Sequence, residues 1–314
     1  MTARATITIG TRGSQLALWQ ANWVRDELTR QHPGLTVNLE IIKTSGDKIT
    51  DVPLAKVGGK GLFVKEIEEA LIEKRVDLAV HSMKDMPGDI PAGLWISAIP
   101  PREVPFDVLL ARNGDILDRL PQGAVIGTSS LRRASQLLHY RPDLQIRPLR
   151  GNLDTRVRKL AAGDLDAIIL AAAGLNRLGM ADHITEQLPS HILLPAVGQG
   201  ALCIETRESD PEVNRLVQQL HDPAAAWAVS AERGFLKRLQ GGCQVPIAAY
   251  GTITGRELTL TGMVAETDGS VIYRDTVTGP VDAGEGLGVR LAERLIERGA
   301  GQIIEKLLRE AEWS

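Results

Sequence analysis

Two turns in the sequence combine hydroxyl, guanidinium and backbone donors at the start of a predicted helix. The first contains Arg12 and Ser14. The second contains Thr128, Ser130, Arg132 and Arg133. Free N–H groups and the positive end of the helix dipole attract carboxylate or phosphate at such a position. Ordinary Ser and Thr N-caps are commoner than anion sites. Because arginine opposes the dipole in both turns, we interpret both as anion-binding sites.

An excess of basic residues follows the second turn. Residues 132–177 contain nine Lys and Arg side chains and four Asp and Glu side chains, within a chain of net charge −3. Arg150, Arg156 and Arg177 belong to this series. Guanidinium groups hold carboxylates and phosphates through paired hydrogen bonds. The series therefore predicts a ligand that carries several such groups.

The segment KTSGDKITDVPLAKVGGKGLF, residues 43–63, is rich in glycine and lysine. It includes Lys56 and Lys60, and it lacks the spacing of a phosphate-binding Walker A loop. Glycine-rich cationic segments form lids over binding sites. A plain flexible loop explains the composition equally well, so the sequence leaves both interpretations open.

A third group, HSMKDMP at residues 81–87, directly follows the apolar strand VDLAV. Function collects at the carboxyl ends of strands in doubly wound folds, and Ser82, Lys84 and Asp85 fall there. Asp85 beside Lys84 is suited to offset a developing cation or to move a proton to a leaving amine, although many such aspartates only cap a helix. We expect His81 to be a packing residue, and we predict no metal site.

The fourth group is GGCQVPI at residues 241–247, where Cys243 follows two glycines. Cys203 lies in an apolar run and fits an inert buried thiol. Cys243 lies on a turn that a ligand can approach closely, so a nucleophilic or covalently modified thiol is the prediction.

The elements that position these groups form two similar patterns. Residues 6–41 and 124–149 each read as strand, IGT turn, helix and returning strand. Buried apolar strands follow in both copies, which predicts two α/β lobes, each a doubly wound sheet, with ligand bound in the crevice between them. The expected boundaries are 1–100 with 200–218 for the first lobe, 104–195 for the second, and 222–314 for a small α+β domain.

Composition excludes several classes of protein. The 314 residues, with a pI near 6.1 and no block of like charge, argue against a disordered chain or a dedicated nucleic-acid binder. Two isolated cysteines exclude a disulfide scaffold. Residues 187–204 are uncharged but carry prolines and glycines, which does not suit a membrane span. The start MTARATITIG lacks the pattern of a signal peptide. We therefore expect a cytoplasmic protein that binds neither membrane nor nucleic acid.

Seven motifs, taken together and in order, resemble the porphobilinogen deaminase (hydroxymethylbilane synthase) family. They are IGTRGSQLALWQA, PLAKVGGKGLFVKE, AVHSMKDMP, IGTSSLRR, LRGNLDTR, LPAVGQGAL and QGGCQVP. The resemblance implies two lobes similar to type II periplasmic binding proteins and a third domain. It implies a transferase that joins four porphobilinogen units head to tail, releases ammonia and forms the linear tetrapyrrole hydroxymethylbilane. It also implies a monomer, and a dipyrromethane cofactor attached through a thioether to Cys243.

The same resemblance assigns roles to single residues. It makes Asp85 the catalytic acid that stabilises the electron-deficient azafulvene. It makes Phe63, with Lys56, part of a lid, and it gives Asn152 and Gln199 a supporting role in the cleft. The groups expected to hold cofactor and substrate carboxylates are Arg12, Ser14, Lys60, Ser82, Lys84, Thr128, Ser130, Arg132, Arg133, Arg150, Arg156 and Arg177.

The chain departs from the family pattern at one segment. Residues 102–108 read REVPFDV where the family commonly reads REDPRDA, so an acid is lost at Val104 and a base at Phe106. This puts in doubt any ion pair at the predicted crossing between lobes, and it touches none of the assigned site residues.

Two other classes of protein account for part of the pattern. A solute-binding protein that closes on an oxyanion explains the twin anion sites, but it leaves Cys243 and the third domain unexplained. A thiol-dependent acyl transferase would use Cys243, but the sequence offers it no recognisable base.

Overall fold

The computed structural model describes residues 5–48, 61–240 and 245–312. These residues divide into two compact units. The first comprises the described parts of 1–49, 59–103 and 200–226, and the second those of 104–199 and 227–314. Each unit is described by itself.

The first unit is built around a five-stranded mixed sheet. Its strands are β1 (Thr6–Thr11), β2 (Thr36–Ile41), β3 (Leu78–Ser82), β4 (Leu94–Ala98) and β10 (Leu202–Arg207). Their order is β2-β1-β3-β10-β4, with β1 parallel to β2 and β3, and β10 antiparallel to β3 and β4. Its helices are α1 (Gln15–Gln31), α2 (Ser45–Lys48), α3 (Lys65–Ile72) and α7 (Pro211–Gln218), with a 3₁₀ turn at Met83–Asp85.

Helices cover both faces of this sheet, as its apolar strands require. On one face, Val24 and Leu28 of α1 pack against Ile9 of β1. On the other, Ile67 and Leu71 of α3 lie in a cluster with strand residues of β3 and β4. Helix α1 begins where predicted, because the side chain of Ser14 caps it by accepting a hydrogen bond from the Ala17 N–H.

The second unit repeats the arrangement. Its first sheet contains β5 (Asp107–Ala111), β6 (Val125–Gly127), β7 (Gln145–Arg147), β8 (Ala167–Ala171) and β9 (Glu186–Gln187), in the order β7-β6-β8-β5-β9. The helices are α4 (Leu131–Tyr140), α5 (Leu153–Ala161) and α6 (Ala172–Arg177). Strand β6 is parallel to β7 and β8, and β5 is antiparallel to its neighbours.

A second, antiparallel sheet of this unit consists of β11 (Ile247–Thr254), β12 (Glu257–Ala265) and β13 (Ile272–Pro280). Helices α8 (Pro223–Arg238), α9 (Gly284–Leu295) and α10 (Gly301–Glu312) accompany it. Phe235 and Leu291 are fully buried in the core that these elements share. Helices α8 and α9 approach closely at Gly288, where a Cβ would lie 2.2 Å from the Ala231 carbonyl oxygen.

The predicted fold class is confirmed, since each of the two repeated sheets is a mixed α/β layer and the three-stranded sheet is α+β. The three-domain division with its boundaries stays a prediction. The amphipathic period of residues 283–312 predicts a single helix over one face of the three-stranded sheet, and this prediction is wrong. A π-helical turn at Ile296–Ala300 separates α9 from α10, because Gly299 adopts a φ of 118° that only glycine adopts at little cost.

The departure at residues 102–108 is accommodated by apolar contacts in the second unit. The Phe106 ring packs edge-to-face on Tyr250, with 5.5 Å between ring centroids. Val104 packs against the core cluster that includes Val108. An aromatic contact and a core contact thus stand where the family pattern places charges.

Candidate active site

The carboxyl ends of the parallel strands β1 and β3 lie at one pocket of the first unit. It encloses about 400 Å³ of space open to solvent, and its polar lining consists of Arg12, Ser14, Gln20, His81, Ser82 and Asp85, together with the aromatic ring of Phe63. The Gln20 amide donates to Ser82 Oγ at 2.8 Å, which fixes the serine at the end of β3. The structure therefore brings together two motifs that are 70 residues apart in sequence.

Arg12 is held on two sides within this pocket. Its Nη2 lies 2.5 Å from Asp47 Oδ1, and its guanidinium lies 4.2 Å from the centroid of the Phe63 ring. Burial alone would raise the pKa of Asp47, but hydrogen bonds from Arg12 and Thr44 lower it below its ordinary value. Both partners are partly exposed, so an external carboxylate can reach the guanidinium and compete with Asp47 for it.

Asp85, unlike Asp47, has no arginine partner among the described residues. It is exposed on the 3₁₀ turn that follows β3, and its carboxylate makes no hydrogen bond or ion pair with any described residue. Lys84 is its neighbour on the same exposed turn. A carboxylate that no described residue contacts, in a pocket lined by donors, is available to a bound ligand.

The second unit holds a buried cluster at the start of α4. Arg133 donates from Nε and Nη2 to Asp107 Oδ1 and from Nη1 to the Ile169 carbonyl. Arg132 donates from Nη1 alone, to Asp107 Oδ2 at 2.8 Å and to the Leu194 carbonyl. Its Nε and Nη2 meet no acceptor among the described residues. Two guanidinium groups share one carboxylate, so the cluster keeps a net positive charge at a helix start.

The ionisation of Asp107 is stabilised by this cluster. Burial of the side chain favours the neutral acid, but the charges and hydrogen bonds of Arg132 and Arg133 outweigh burial and hold the pKa of Asp107 at about 2. Asp107 is fully buried. It is therefore a permanent counter-ion at neutral pH.

The remaining predicted residues of the second unit lie near the ends of its strands and helices. Ser130 caps α4 by accepting from the Arg133 N–H, and Thr128 Oγ1 accepts from the Ser130 N–H. Asn152 is the exposed N-cap residue of α5, and the buried Gln199 donates to the Pro105 carbonyl at 2.6 Å. Arg150, Arg156 and Arg177 are half-buried.

Three predicted residues lie outside the described ranges. They are Lys56, Lys60 and Cys243. The structure therefore tests neither the lysines of the predicted lid nor the thiol. Phe63, the other predicted lid residue, lines the pocket and packs against Gly46, where a Cβ would overlap its ring.

The sequence interpretation missed the acids that hold the arginines and the pocket residue Gln20. Asp47 and Asp107 carry no local signal, because their arginine partners are distant in sequence. Arg12 lies 35 residues from Asp47, and Arg132 and Arg133 lie 25 and 26 residues from Asp107. Glu205 did carry one: a lone acid within the apolar run ALCIE belongs in a strand core only if it has a partner. That partner is His81, which the sequence predicted as a packing residue.

No group of residues in the described ranges has the arrangement of a metal site. No helix in the same ranges is long and apolar enough to cross a membrane.

Fold and site together define an α/β protein whose pocket groups cationic and hydroxyl side chains around an exposed carboxylate. Comparison with known proteins gives the family. Residues 7–215 match the profile described as porphobilinogen deaminase, dipyromethane cofactor binding domain, and residues 226–297 match that of the porphobilinogen deaminase C-terminal domain.

Curated relatives agree over nearly the whole chain. The porphobilinogen deaminase of Syntrophotalea carbinolica is 56% identical over 303 residues, 96% of both chains. That of Brevibacillus brevis is 56% identical over 305 residues, covering 97% of this chain and 98% of the relative. The chain belongs to the porphobilinogen deaminase family.

Similar solved structures include a VFT2 domain and an extracellular-binding protein. The VFT2 double mutant of Bordetella pertussis BvgS has a TM-score of 0.41 and 14% identity, covering 69% of this chain and 87% of that one. The probable amino-acid transporter binding protein ytmK of Bacillus subtilis has a TM-score of 0.42 and 13% identity, covering 69% and 92%.

Family membership confirms several predictions made from sequence. The chain is an enzyme, a hydroxymethylbilane synthase, and its reaction joins porphobilinogen units into hydroxymethylbilane. The dipyrromethane cofactor is confirmed as well, because the matching domain is the one that binds it. Which residues carry each role is a separate question.

The Arg12–Asp47 pair gives a testable prediction. Replacing Asp47→Asn removes the carboxylate that competes for Arg12, so the KM for porphobilinogen falls by about two- to fivefold, the range of an exposed ion pair. Steady-state kinetics measure this. The control is Asp26→Asn, which breaks the exposed pair with Arg25 and leaves KM unchanged. A higher KM in Asp47→Asn would mean that Asp47 orients Arg12 rather than competes for it.

The buried cluster gives a second prediction, for stability. Asp107→Asn leaves two buried guanidinium groups without their counter-ion and lowers the free energy of unfolding by about 3–5 kcal/mol at pH 7. Because the pKa of Asp107 is lowered to about 2, this contribution is present above about pH 4 and is lost as the pH falls through 2. Denaturant titration measures it. Glu293→Gln, at an exposed pair with Arg238, is the control and costs less than about 1 kcal/mol.

Proposed function

We propose that Asp85 is the catalytic carboxylate of the deaminase reaction and that Cys243 carries the dipyrromethane cofactor. The observation that supports this most directly is the free carboxylate of Asp85 in a pocket whose other polar groups include Arg12, Ser14 and Ser82. In the reaction, four porphobilinogen molecules are joined head to tail with release of ammonia.

The side chains of the described residues fit a dipyrromethane. Its pyrroles carry acetate and propionate groups, and the described cationic and hydroxyl donors suit carboxylates of this kind. When bound, the cofactor supplies the primer to which substrate units are added. In the first unit, Arg12 and Lys84 offer charge, and Ser14 and Ser82 offer hydroxyl groups. Lys60 joins this set by motif position alone.

In the second unit, the cationic groups hold further carboxylates. Arg132 keeps two nitrogens without an acceptor among the described residues, and its cluster with Arg133 and Asp107 bears a net positive charge. Ser130 and Thr128 lie at the same helix start. The role of Arg133 is to hold Asp107 and thereby orient Arg132, because all three of its nitrogens bond protein oxygens. Arg150, Arg156 and Arg177 add charge, and Asn152 and Gln199 shape the surrounding backbone.

Asp85 acts on the substrate. As the carbon–nitrogen bond of the aminomethyl group breaks and ammonia leaves, positive charge develops on the substrate pyrrole. An ionised carboxylate next to that pyrrole stabilises the charge and accepts a hydrogen bond from the ring N–H. None of the hydrogen-bonding capacity of Asp85 is used by the residues that the structure describes, so it is available to the substrate.

The sequence also supports a compartment, an oligomeric state and a domain division for the enzyme. We infer a cytoplasmic monomer that binds neither nucleic acid nor membrane. We also infer that residues 222–314 form a third domain that presents Cys243, and that Lys56 and Phe63 belong to a lid. The three-stranded sheet packed with α8 and α9 supports that division.

Attachment at Cys243 is tested by the intact mass of the purified protein. The mass exceeds that of the 314-residue chain by two linked pyrroles, and Cys243→Ala abolishes the excess, because the thioether needs the sulfur. Cys203→Ala, at a buried thiol, keeps the excess. An active enzyme of unmodified mass would contradict the attachment.

The role of Asp85 is tested by Asp85→Asn. The amide keeps the shape and removes the charge, so we expect cofactor attachment by mass but a turnover lowered by at least about 100-fold. Asp89→Asn, at an exposed aspartate four residues on and outside the pocket lining, retains normal turnover. Near-normal turnover in Asp85→Asn would remove Asp85 from the mechanism.

A further inference from the structure

Three buried titratable side chains lie together in the first unit, beside the proposed active site. They are Glu68 on α3, His81 on β3 and Glu205 on β10. Glu205 is 0% exposed, His81 5% and Glu68 7%. None of them has a part in the proposed reaction. Burying two carboxylates and an imidazole in a small core is costly unless they interact.

Strand register brings two of them into contact. Strands β3 and β10 are antiparallel with Cys203 opposite His81, so Glu205, two residues further on, lies on the same face of the sheet as His81. Its Oε2 lies 3.1 Å from His81 Nε2. Helix α3 covers this face and contributes Glu68.

The hydrogen-bonding capacity of these three side chains is only partly used. Oε1 of Glu205 and Oε1 of Glu68 are both buried and find no hydrogen-bond partner among the described residues. A buried oxygen left in this state costs free energy that a neutral or apolar side chain of the same shape would not. Packing alone therefore does not explain these residues.

The group reaches the pocket through His81. His81 belongs to the pocket lining together with Ser82 and Asp85, whereas Glu68 and Glu205 do not. A change of charge on either glutamate is thus felt at the pocket wall through one side chain. In the low-dielectric interior such an effect is stronger than it is in water.

Other charges around Glu68 are few. Strands β1 and β4, which also pack on α3, carry no titratable side chain. Arg207 of β10 donates to Asp77, Asp210 and two backbone carbonyls. On α3 itself, Lys65 pairs with Glu69 at the surface, and Glu66 accepts from Ser45. Glu69 also repels the Glu68 carboxylate and raises its pKa, but less than burial and Glu205 do, so the charge of the group is set mainly by its own three members.

Glu68 is the member whose charge changes near neutral pH. Burial first, and repulsion by Glu205 second, raise the pKa of the Glu68 carboxyl to about 7, against the opposing effect of His81. Below this pH the carboxyl is protonated and the group carries one negative charge fewer.

We propose that Glu68, Glu205 and His81 form a buried triad that sets the electrostatic potential of the pocket wall beside Asp85, with Glu68 and Glu205 acting as positioning residues through His81. This inference rests on the proposed function of the pocket. Above pH 7 the ionised Glu68 adds a negative charge behind His81, which disfavours a substrate that carries carboxylates. Below pH 7 this charge is absent.

Glu68→Gln tests the triad, since the amide has the shape of the protonated acid and does not titrate. KM for porphobilinogen is measured at pH 6 and pH 8. At pH 6 the variant matches the wild type, and at pH 8 its KM is about two- to fourfold lower, because the buried negative charge is gone. The matched control is Glu69→Gln, which removes the same charge from the exposed neighbour on α3 and leaves KM at both pH values unchanged.

Coupling through His81 is tested by a double-mutant cycle. In a His81→Gln background, Glu68→Gln no longer changes the KM at pH 8, because the link to the pocket is missing. A readout without turnover is the nitrogen NMR shift of the His81 ring in the free enzyme. It moves between pH 6 and 8 in the wild type, and this step is absent in Glu68→Gln.

The outcomes separate the two proposals. A wild-type chain without porphobilinogen turnover would overturn the proposed function and leave the NMR step as the test of the triad. A wild type that turns over, with KM values that match those of Glu68→Gln at both pH 6 and pH 8, would overturn the triad. An NMR step that persists in Glu68→Gln would also overturn it. Circular dichroism of each variant establishes that it is folded.

Discussion

The pairing of guanidinium with carboxylate is the interaction on which both units depend. A protein that binds a polyanion must keep arginines charged and correctly placed before the ligand arrives. Here the protein's own aspartates do this, Asp47 for Arg12 and Asp107 for Arg132 and Arg133. The solvent exposure of each pair decides whether a ligand can displace the aspartate. The partly exposed pair is weak and open to exchange with a ligand, whereas the buried one is fixed, because separating its charges leaves them without solvent.

The two units use the same local design to different ends. In each, a strand leads through a Thr-containing turn to a serine that caps a helix, Ser14 in one and Ser130 in the other. In the first unit the arginine precedes the cap and remains partly exposed. In the second, both arginines lie in the first helical turn and are buried. All three nitrogens of Arg133 donate to protein oxygens, whereas Nε and Nη2 of Arg132 have no acceptor among the described residues. A repeated backbone pattern thus yields one exchangeable site and one fixed positive charge.

The sequence predicts the features of the structure that depend on local signals, such as helix caps, turns and alternating apolar residues. The sequence predicts helix Leu131–Tyr140 with its observed ends, because Ser130 marks its start, and it predicts the hairpin of β12 and β13 from alternating apolar residues on either side of the turn TDGS. The motif residues at the ends of β1 and β3 share a pocket as parallel strands require.

Interactions between distant segments could not be predicted in this way. The antiparallel insertion of β10 between β3 and β4 has no local signal, and the partners of Arg12 and Arg133 are set by tertiary contact. The break at Gly299 was missed because the apolar period continues across it. Glycine is tolerated within helices, and only a positive φ, which the sequence does not reveal, ends one there.

The acids of this protein show why Asp85 suits chemistry and the others suit structure. Asp107 is saturated by two guanidinium groups and stays ionised to low pH, so it neither accepts a proton nor reaches a ligand. Asp47 is occupied by Arg12 and Thr44. Glu205 faces His81 in a space without solvent. A carboxylate that must stabilise a transient cation needs unspent hydrogen-bonding capacity and access to the ligand. Asp85, on an exposed turn at the carboxyl end of β3, meets both requirements, and its position follows from the short 3₁₀ turn that keeps it out of the sheet.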